Sequence, residues 1–154
     1  SCKKCSPVVN IASCYNVEPY NQLHLQAAVA KRPVSVAIEA DTSIFQFYTG
    51  GVLTNTNCGN SLDHGVLIVG YGEENNTKYW LVKNSWGASW GENGYIKIAR
   101  SNNTHDAGVC GIAMQPAFPV AKTSTITKKD TRAVVAKVSP VKKVCSKWVD
   151  VTEV

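Results

Sequence analysis

The 154-residue sequence has no long hydrophobic run, a single methionine and only three histidines. Its longest apolar segment, Gly65–Gly70, is far shorter than the roughly 18 to 20 residues of a transmembrane helix, so we expect no membrane span. It has no initiator methionine and no basic-then-apolar leader, which neither predicts nor excludes a signal peptide. With 44% hydrophobic and 18% charged residues, the composition excludes a disordered chain and a coiled coil.

Net charge is absent from most of the chain. Residues 1–119 contain eight Lys and Arg against eight Asp and Glu, so the net charge of +5 falls entirely in residues 120–154. A neutral body does not predict a nucleic-acid partner. For the basic tail we expect a solvated extension, and an anionic partner is the less favoured alternative.

Six cysteines and two N-glycosylation sequons favour an oxidising compartment. The sequons are Asn75–Thr77 and Asn102–Thr104. Together these features predict the secretory route, which leads to a lysosome, a vacuole or the extracellular space. A zinc site at Cys2-Lys-Lys-Cys5 would lack its second pair of ligands, so neither a metal nor a cofactor is predicted.

Short apolar segments separated by Gly, Pro and Asn predict an α+β domain with a twisted or barrel-like antiparallel sheet. One helix is expected over Leu23–Ala30 and is ended by Pro33. A shorter helix runs to Phe47, with Asp41 or Thr42 as its N-cap. The predicted strands are Val8–Ile11, Val34–Ile38, Gly65–Tyr71, Tyr79–Lys83 and Gly94–Ala99.

Polar and aromatic residues at the ends of two predicted strands suggest a catalytic site. His64 opens one strand and Asn84 closes the next, so a hairpin through the Glu73–Lys78 turn would bring them together. An imidazole that accepts a proton needs a partner on its other ring nitrogen, and an amide oxygen supplies one without adding charge. Trp86 would exclude water from that hydrogen bond. The alternative, from spacing alone, is that His64 caps a strand and Asn84 belongs to a turn.

Two long blocks around these residues resemble the His and Asn motifs of papain-like cysteine peptidases. They are Asn57-Cys-Gly-Asn-Ser-Leu-Asp-His-Gly-Val-Leu-Ile-Val-Gly-Tyr-Gly72 and Tyr79-Trp-Leu-Val-Lys-Asn-Ser-Trp-Gly-Ala-Ser-Trp-Gly-Glu-Asn-Gly-Tyr95. The segments Pro33–Glu39, Tyr48–Gly51 and Val109–Met114 are similar to other parts of that family. The resemblance covers residues 15–119. It implies a papain-like fold, of which this chain is the β-barrel-like C-terminal lobe with a short helix or two.

The resemblance implies a role for each matched residue. His64 is the catalytic histidine, Asn84 orients it, Trp86 shields their hydrogen bond, and Asp63 tunes the ion pair without being essential. The positions that match the main specificity pocket are Ala37, Leu62, Gly65 and Gln115. Three of them are small or apolar and suit Leu, Val or Phe, while an uncharged amide at Gln115 would attract a basic side chain only weakly.

The resemblance also divides the cysteines. Cys58 and Cys110 match a family disulfide, and Cys2 matches a half-cystine whose partner lies in the N-terminal lobe. Cys5 and Cys14 flank a short strand and are expected to pair with each other. No disulfide partner is predicted for Cys145.

No cysteine of this chain matches the family nucleophile. That residue lies in a Cys-Gly-[Ser/Ala]-Cys-[Trp/Tyr] motif roughly 130 to 150 residues before the His and Asn, and only 63 residues precede His64. Ala12-Ser-Cys-Tyr15 ends like the motif but lacks its Cys-Gly start. We therefore expect a partial chain that lacks the N-terminal helical lobe and is inactive alone. Its expected partners are that lobe of the same enzyme and peptide or protein substrates. The oligomeric state is not predicted.

The implied activity is that of a cysteine-type endopeptidase with a Cys-His-Asn mechanism. The main alternative is a non-catalytic papain-like homologue whose nucleophile is replaced and which serves as a structural or binding protein. A serine-hydrolase elbow at Gly87–Gly91 is excluded because no His follows Asp106, the acid that would come next, and no helix is predicted after Gly91. A caspase-like pairing of His64 with Cys110 is excluded because Gln-Ala does not precede that Cys.

A domain boundary is predicted near residue 120. Residues 1–119 form the C-terminal half of the peptidase domain, and residues 120–154 form a flexible basic extension. The alternative is that the valines and Trp148 of the extension dock on the body as a short strand or helix.

Overall fold

The computed structural model describes residues 9–122, which form one seven-stranded sheet with two short helices. The strands are β1 (Ile11–Asn16), β2 (Val34–Ile38), β3 (Val52–Leu53), β4 (His64–Glu74), β5 (Thr77–Lys83), β6 (Tyr95–Ala99) and β7 (Ala117–Ala121). The helices are α1 (Gln22–Val29) and α2 (Ser43–Gln46), and single 3₁₀ turns cover Thr56–Cys58 and Val109–Gly111. The strand order is β1-β7-β2-β4-β5-β6-β3, and only the β3–β6 pair is parallel. The predicted α+β class is confirmed.

The hydrophobic core lies against one face of the central strands. Val34 and Val36 of β2 pair with Ile68 and Val66 of β4, and all four side chains are buried. Burying an aliphatic side chain of this size contributes roughly 1.5 to 3 kcal/mol. Other fully buried residues extend the core towards α1, α2, β5 and β6: Leu25, Phe45, Trp80, Val82, Ile96 and Ile98.

The predicted hairpin is present and is longer than expected. Strands β4 and β5 pair from Leu67↔Lys83 to Glu74↔Thr77, with one irregularity between Ile68 and Gly70. The two-residue turn consists of Asn75 and Asn76, with φ of 48° and 61°. Asparagine tolerates this left-handed conformation, which the twist of a two-residue hairpin requires.

The first strand was predicted too early and two others were not predicted. The strand expected at Val8–Ile11 begins only at Ile11, because its extent is set by pairing with β7. Strand β7 was not predicted and contains Pro119. It pairs with β1 along its length but with β2 only at Ala117, so no β2 residue is paired with Pro119, which lacks a backbone N–H. The two-residue strand β3 is too short to leave a pattern in the sequence.

The two helices begin differently from each other. Asn21 caps α1, and its side chain accepts a hydrogen bond from the His24 N–H at 3.0 Å. Thr42 occupies the N-cap of α2, but its side chain makes no capping hydrogen bond. The predicted cap by Asp41 or Thr42 is therefore correct in position only. The neighbouring backbone N–H groups, those of Ala40 and Asp41, are bound instead by the Asp63 carboxylate.

Several predictions fall outside the described residues. These are the extension beyond Lys122, its alternative docking on the body, and the states of Cys2, Cys5 and Cys145. Between residues 9 and 122, no helix is long and apolar enough to cross a membrane.

Candidate active site

His64 and Asn84 lie at the same end of the β4–β5 hairpin. His64 opens β4 and Asn84 directly follows β5, so antiparallel pairing brings the two residues together. The distance between His64 Nε2 and Asn84 Oδ1 is 2.9 Å. Asn84 is only 7% exposed, so this hydrogen bond is largely shielded from water and is strengthened accordingly.

A second hydrogen bond to Asn84 fixes the orientation of its amide. The Ser85 backbone N–H donates to the same Oδ1 atom at 2.7 Å, and because an N–H only donates, that atom is the amide oxygen. His64 Nε2 must then carry a proton and donate it to Asn84. This leaves Nδ1 as the ring nitrogen that can accept or release a proton. Asn84 Nδ2 is buried and has no hydrogen-bond partner within residues 9–122.

An aromatic cluster (Phe45, Tyr48, Trp86 and Trp90) supports the imidazole ring. Trp86 stacks on His64 with ring centroids 5.1 Å apart and planes inclined by 28°. It contacts Phe45 and Trp90 edge-on, at centroid distances of 5.5 and 5.2 Å. Phe45 is fully buried and Trp86 is 39% exposed, so the cluster anchors a half-exposed indole to the core. The indole therefore covers one face of the His64 ring.

A charged network (Glu74, Glu92 and Lys97) holds the loop beside this cluster. Lys97 Nζ lies 2.6 Å from Glu74 Oε2 and 3.0 Å from Glu92 Oε2. Glu92 Oε1 accepts the Gly51 N–H at 2.9 Å, and the Tyr48 hydroxyl donates to the Gly51 carbonyl at 2.6 Å. The network thereby fixes Tyr48, which packs on the indole of Trp90 at 5.7 Å.

The network shifts the pKa values of its members in opposite directions. Hydrogen bonds to Glu74 and Glu92 raise the pKa of the Lys97 ammonium. Burial raises the pKa of Glu92, but the Gly51 N–H and Lys97 outweigh it, so the pKa lies below its ordinary value of 4.5. Burial also raises the pKa of Tyr48, which keeps the phenol protonated and able to donate to Gly51.

Sequence reasoning did not identify the charged network. Its members lie on β4, on β6 and in the loop before β6, and only the sheet brings them together. Two spacings were available as signals for the aromatic cluster: Phe45 and Tyr48 are three residues apart, and Trp86 and Trp90 are four apart. Neither spacing indicates that the two pairs meet.

Asp63, predicted to tune the catalytic pair, bonds to the backbone rather than to the His64 ring. Its carboxylate accepts the Ala40 N–H at 2.8 Å and the Asp41 N–H at 3.2 Å. Its own N–H donates to the Ile38 carbonyl at 3.0 Å. These contacts tie the end of β2 to the residue before His64, and so set the position at which β4 begins.

Two of the four residues predicted to line the substrate pocket are direct neighbours. Ala37 and Gly65 pair across β2 and β4, on the face opposite the buried valines. A Cβ on Gly65 would meet nothing within 4 Å, so the surface here is open. Leu62 fills the space into which a Cβ on Gly111 would project. Gln115 is exposed in the segment before β7, and the pocket as a whole stays a prediction.

Disulfides involve all three cysteines between residues 9 and 122. Cys58 and Cys110 form a buried disulfide that joins the two 3₁₀ turns. It closes a separation of 52 residues; for a loop of that length the chain-entropy contribution is about 4 kcal/mol. Cys14 is also disulfide-bonded, whereas Cys5, its predicted partner, lies outside the described residues. These three cysteines therefore offer no thiolate. In the same part of the chain, no group of three or more His, Cys, Asp or Glu side chains could hold a metal ion.

Comparison with known protein families identifies the family of this chain. The sequence profile of the papain family cysteine proteases matches residues 1–120. The chain belongs to the papain family. It corresponds to the C-terminal part of the papain-like domain, as the resemblance of the two long blocks implied.

Curated relatives in plants share about half of the aligned residues. Cysteine endopeptidase Rep1 of Oryza sativa subsp. japonica is 52% identical over 116 residues, which are 75% of this chain and 31% of that protein. Cysteine proteinase RD21A of Arabidopsis thaliana is 48% identical over 118 residues, which are 77% of this chain and 25% of that protein. The chain thus spans between a quarter and a third of the length of these papain-family relatives.

Solved structures of papain-family proteases have the same fold. Bromelain protease from Ananas comosus, in complex with the E64 inhibitor, superposes with a TM-score of 0.70 at 42% identity. The match covers 76% of this chain and 54% of bromelain. The ragweed pollen allergen Amb a 11, in its proform, gives a TM-score of 0.71 at 41% identity and covers 79% and 37% of the two chains. The predicted papain-like fold is confirmed.

Proposed function

We propose that the chain supplies the acid–base half of a papain-like cysteine endopeptidase. In this proposal His64 exchanges protons through Nδ1 with a cysteine outside these 154 residues, Asn84 orients the ring, and Trp86 shields the His64–Asn84 bond. The observation that carries the proposal is the 2.9 Å hydrogen bond between His64 Nε2 and Asn84 Oδ1, which leaves Nδ1 available. That the curated relatives are cysteine proteases supports the same reaction.

In the proposed mechanism the nucleophilic thiol gives its proton to His64 Nδ1, forming a thiolate–imidazolium pair. The thiolate attacks the peptide carbonyl carbon, the carbon–nitrogen bond breaks, and the imidazolium protonates the leaving amine. Water then attacks the thioester carbon and gives a proton to His64. The carbon–sulfur bond breaks, the carboxylic acid product leaves, and the proton on His64 regenerates the thiol. Asn84 Oδ1 keeps the Nε2 proton of His64 in place throughout, and the neutral amide stabilises the imidazolium without a second negative charge.

For substrate selection, the proposal assigns Ala37, Leu62, Gly65 and Gln115 to the pocket for the side chain two residues before the cut. The open surface at the Ala37–Gly65 pair is compatible with an aliphatic or aromatic side chain. The uncharged Gln115 gives no strong preference for a basic residue. The substrates are then peptides or proteins with Leu, Val or Phe at that position.

We also infer that the protein enters the secretory route. Three disulfide-bonded cysteines within 114 described residues favour an oxidising compartment over the cytosol. A lysosome, a vacuole and the extracellular space are all compatible with this chemistry.

Hydrolysis of a fluorogenic peptide amide by the full-length protein tests the proposed function. We expect hydrolysis that is abolished by thiol alkylation. The variant His64→Ala should lower the activity about 10³-fold, because the general acid–base is lost. The isolated 154-residue chain should hydrolyse none of the substrate. Full activity in His64→Ala, or a full-length protein with no thiol-dependent hydrolysis, would contradict the proposal; the second result would favour a non-catalytic homologue.

A further inference from the structure

Both N-glycosylation sequons lie at one end of the sheet, opposite the catalytic pair. The β4–β5 hairpin begins at His64, Asn84 directly follows its last residue, and the turn at its other end contains Asn75. Strand β6 runs from Tyr95 near the catalytic end to Ala99, which pairs with Tyr79 near that turn. The Asn102 loop follows directly, and the Arg100 N–H donates to the Lys78 carbonyl at 2.8 Å.

The distance between the two ends is set by the length of β4. Eleven residues separate the catalytic His64 from Asn75, which corresponds to roughly 30 to 35 Å along an extended strand. Substituents on Asn75 therefore project away from the catalytic end of the sheet.

Each sequon asparagine is exposed on a backbone that is fixed independently of its side chain. Asn75 is exposed in the hairpin turn, which the Glu74↔Thr77 pair closes. Asn102 is exposed in a loop that α1 holds: the Gln22 N–H donates to the Asn103 carbonyl at 3.0 Å, and Gln22 Oε1 accepts the Ser101 N–H at 3.0 Å. A large substituent on either amide would displace none of these contacts.

We propose that Asn75 and Asn102 both carry N-linked glycans, so that the end of the sheet remote from the catalytic pair is a glycosylated surface. The donor class is a lipid-linked oligosaccharyl diphosphate. The side-chain amide nitrogen bonds to the anomeric carbon, the bond from that carbon to the diphosphate oxygen breaks, and the lipid diphosphate leaves with the electron pair. The amide loses one proton to a base of the transferring enzyme. Thr77 and Thr104 supply the hydroxyl that the acceptor motif requires.

The glycosylation proposal does not depend on the peptidase activity. The location of the two glycosylation sites nevertheless has a consequence for the kinetics. Because both sites lie far from His64, removing the glycans should change kcat/KM by less than about twofold. It should instead expose the polar hairpin turn and the 100–105 loop to solvent and to proteases.

Peptide mapping of the full-length protein, secreted from a eukaryotic host, tests the assignment. Enzymatic release of N-glycans in heavy-oxygen water should label both Asn75 and Asn102 as aspartate. Thr77→Val and Thr104→Val should each remove one glycan, and they preserve side-chain shape without changing the asparagine in the positive-φ turn. The matched controls Thr77→Ser and Thr104→Ser retain a hydroxyl and should keep the glycan.

Each outcome decides the assignment. Label at both positions, with loss in the Val variants and retention in the Ser variants, supports it. An asparagine that is unlabelled in the secreted wild-type protein overturns the assignment for that site, and two unlabelled asparagines overturn the proposal. A loss of more than about tenfold in kcat/KM in the correctly folded Val variants would contradict the remote placement of this surface.

Discussion

Single side chains decide the proton chemistry proposed for this protein. The Ser85 N–H fixes the orientation of the Asn84 amide, and the amide oxygen fixes the proton of His64 on Nε2. Replacing Asn84 would free the ring to adopt the other tautomer or to rotate beneath Trp86. The hydrogen bond acts on orientation rather than on substrate binding, so its loss should appear in kcat.

We expect Asn84→Ala in the full-length protein to lower kcat about 10²-fold and to change KM by less than about threefold. The matched control is Asn84→Asp, which retains an oxygen acceptor and should keep more of the activity than Ala. Steady-state kinetics with a peptide amide measure both. Equal kcat in wild type and Asn84→Ala would show that Asn84 does not orient the base.

The second prediction at this scale concerns Gln115. Gln115→Glu should raise the ratio of kcat/KM for Arg over Leu, two residues before the cut, by roughly three- to tenfold, because a partly screened carboxylate attracts the guanidinium. The control Gln115→Leu adds no charge and should lower the ratio. An unchanged ratio in both variants would remove Gln115 from the pocket.

The sequence together with its family resemblance predicted that His64, Asn84 and Trp86 meet. His64 opens β4, Asn84 directly follows β5 with Trp86 two residues later, and the hairpin between them is local. It did not identify the second partner of Asn84 or the backbone contacts of Asp63, since both depend on where the chain turns. It also failed to connect Glu92 with Gly51, which lie 41 residues apart and meet only in the folded sheet.

Among the structural elements, the loop between α2 and β3 and the segment between β5 and β6 position the indole of Trp86. The charged network joins them through Gly51, Tyr48 and Glu92. Local patterns predicted α1, β2 and the central hairpin. They did not predict β7 or the start of β1, because those two strands are defined by pairing between opposite ends of the described chain.

Loss of the Glu92 charge should destabilise this part of the fold in a pH-dependent way. The pKa of Glu92 is lower in the folded protein than its ordinary 4.5, so its carboxylate stabilises the fold above that pH. The stabilisation is lost as pH falls through the lower, folded value. We expect Glu92→Gln in the full-length protein to reduce Tm by a few degrees at pH 7, as for a partly exposed ion pair.

Thermal unfolding from pH 7 to pH 3 measures this effect. The difference in Tm between wild type and Glu92→Gln should stay constant down to about pH 5 and shrink below pH 4.5. The control is Glu73→Gln on β4, an exposed carboxylate with no ion pair within the described residues, which should leave Tm unchanged. A difference that grows on acidification would contradict the role given to Glu92.

At the scale of the whole molecule, the described residues form a seven-stranded sheet with His64 and Asn84 hydrogen-bonded at one end of its central hairpin. The core is continuous from α1 to β6, yet the cysteines between residues 9 and 122 are held in disulfides. We propose that the extension beyond Lys122 adds nothing to the catalytic site. Deleting residues 123–154 from the full-length protein should therefore leave kcat/KM for a small peptide within about twofold of wild type. A loss of activity in the folded truncation would place the extension in the functional unit.

The central claim is that His64 forms an ion pair with a nucleophilic thiol, and the pH dependence of thiol alkylation in the full-length protein tests it most directly. In wild type the thiol should react with iodoacetamide at a nearly constant rate down to about pH 5, because the imidazolium lowers the thiol pKa. In His64→Ala the reaction should slow in acid and rise only towards pH 8 to 9, near the ordinary thiol pKa of about 8.5. Identical profiles for the two proteins, or the absence of any reactive thiol in wild type, would contradict the account.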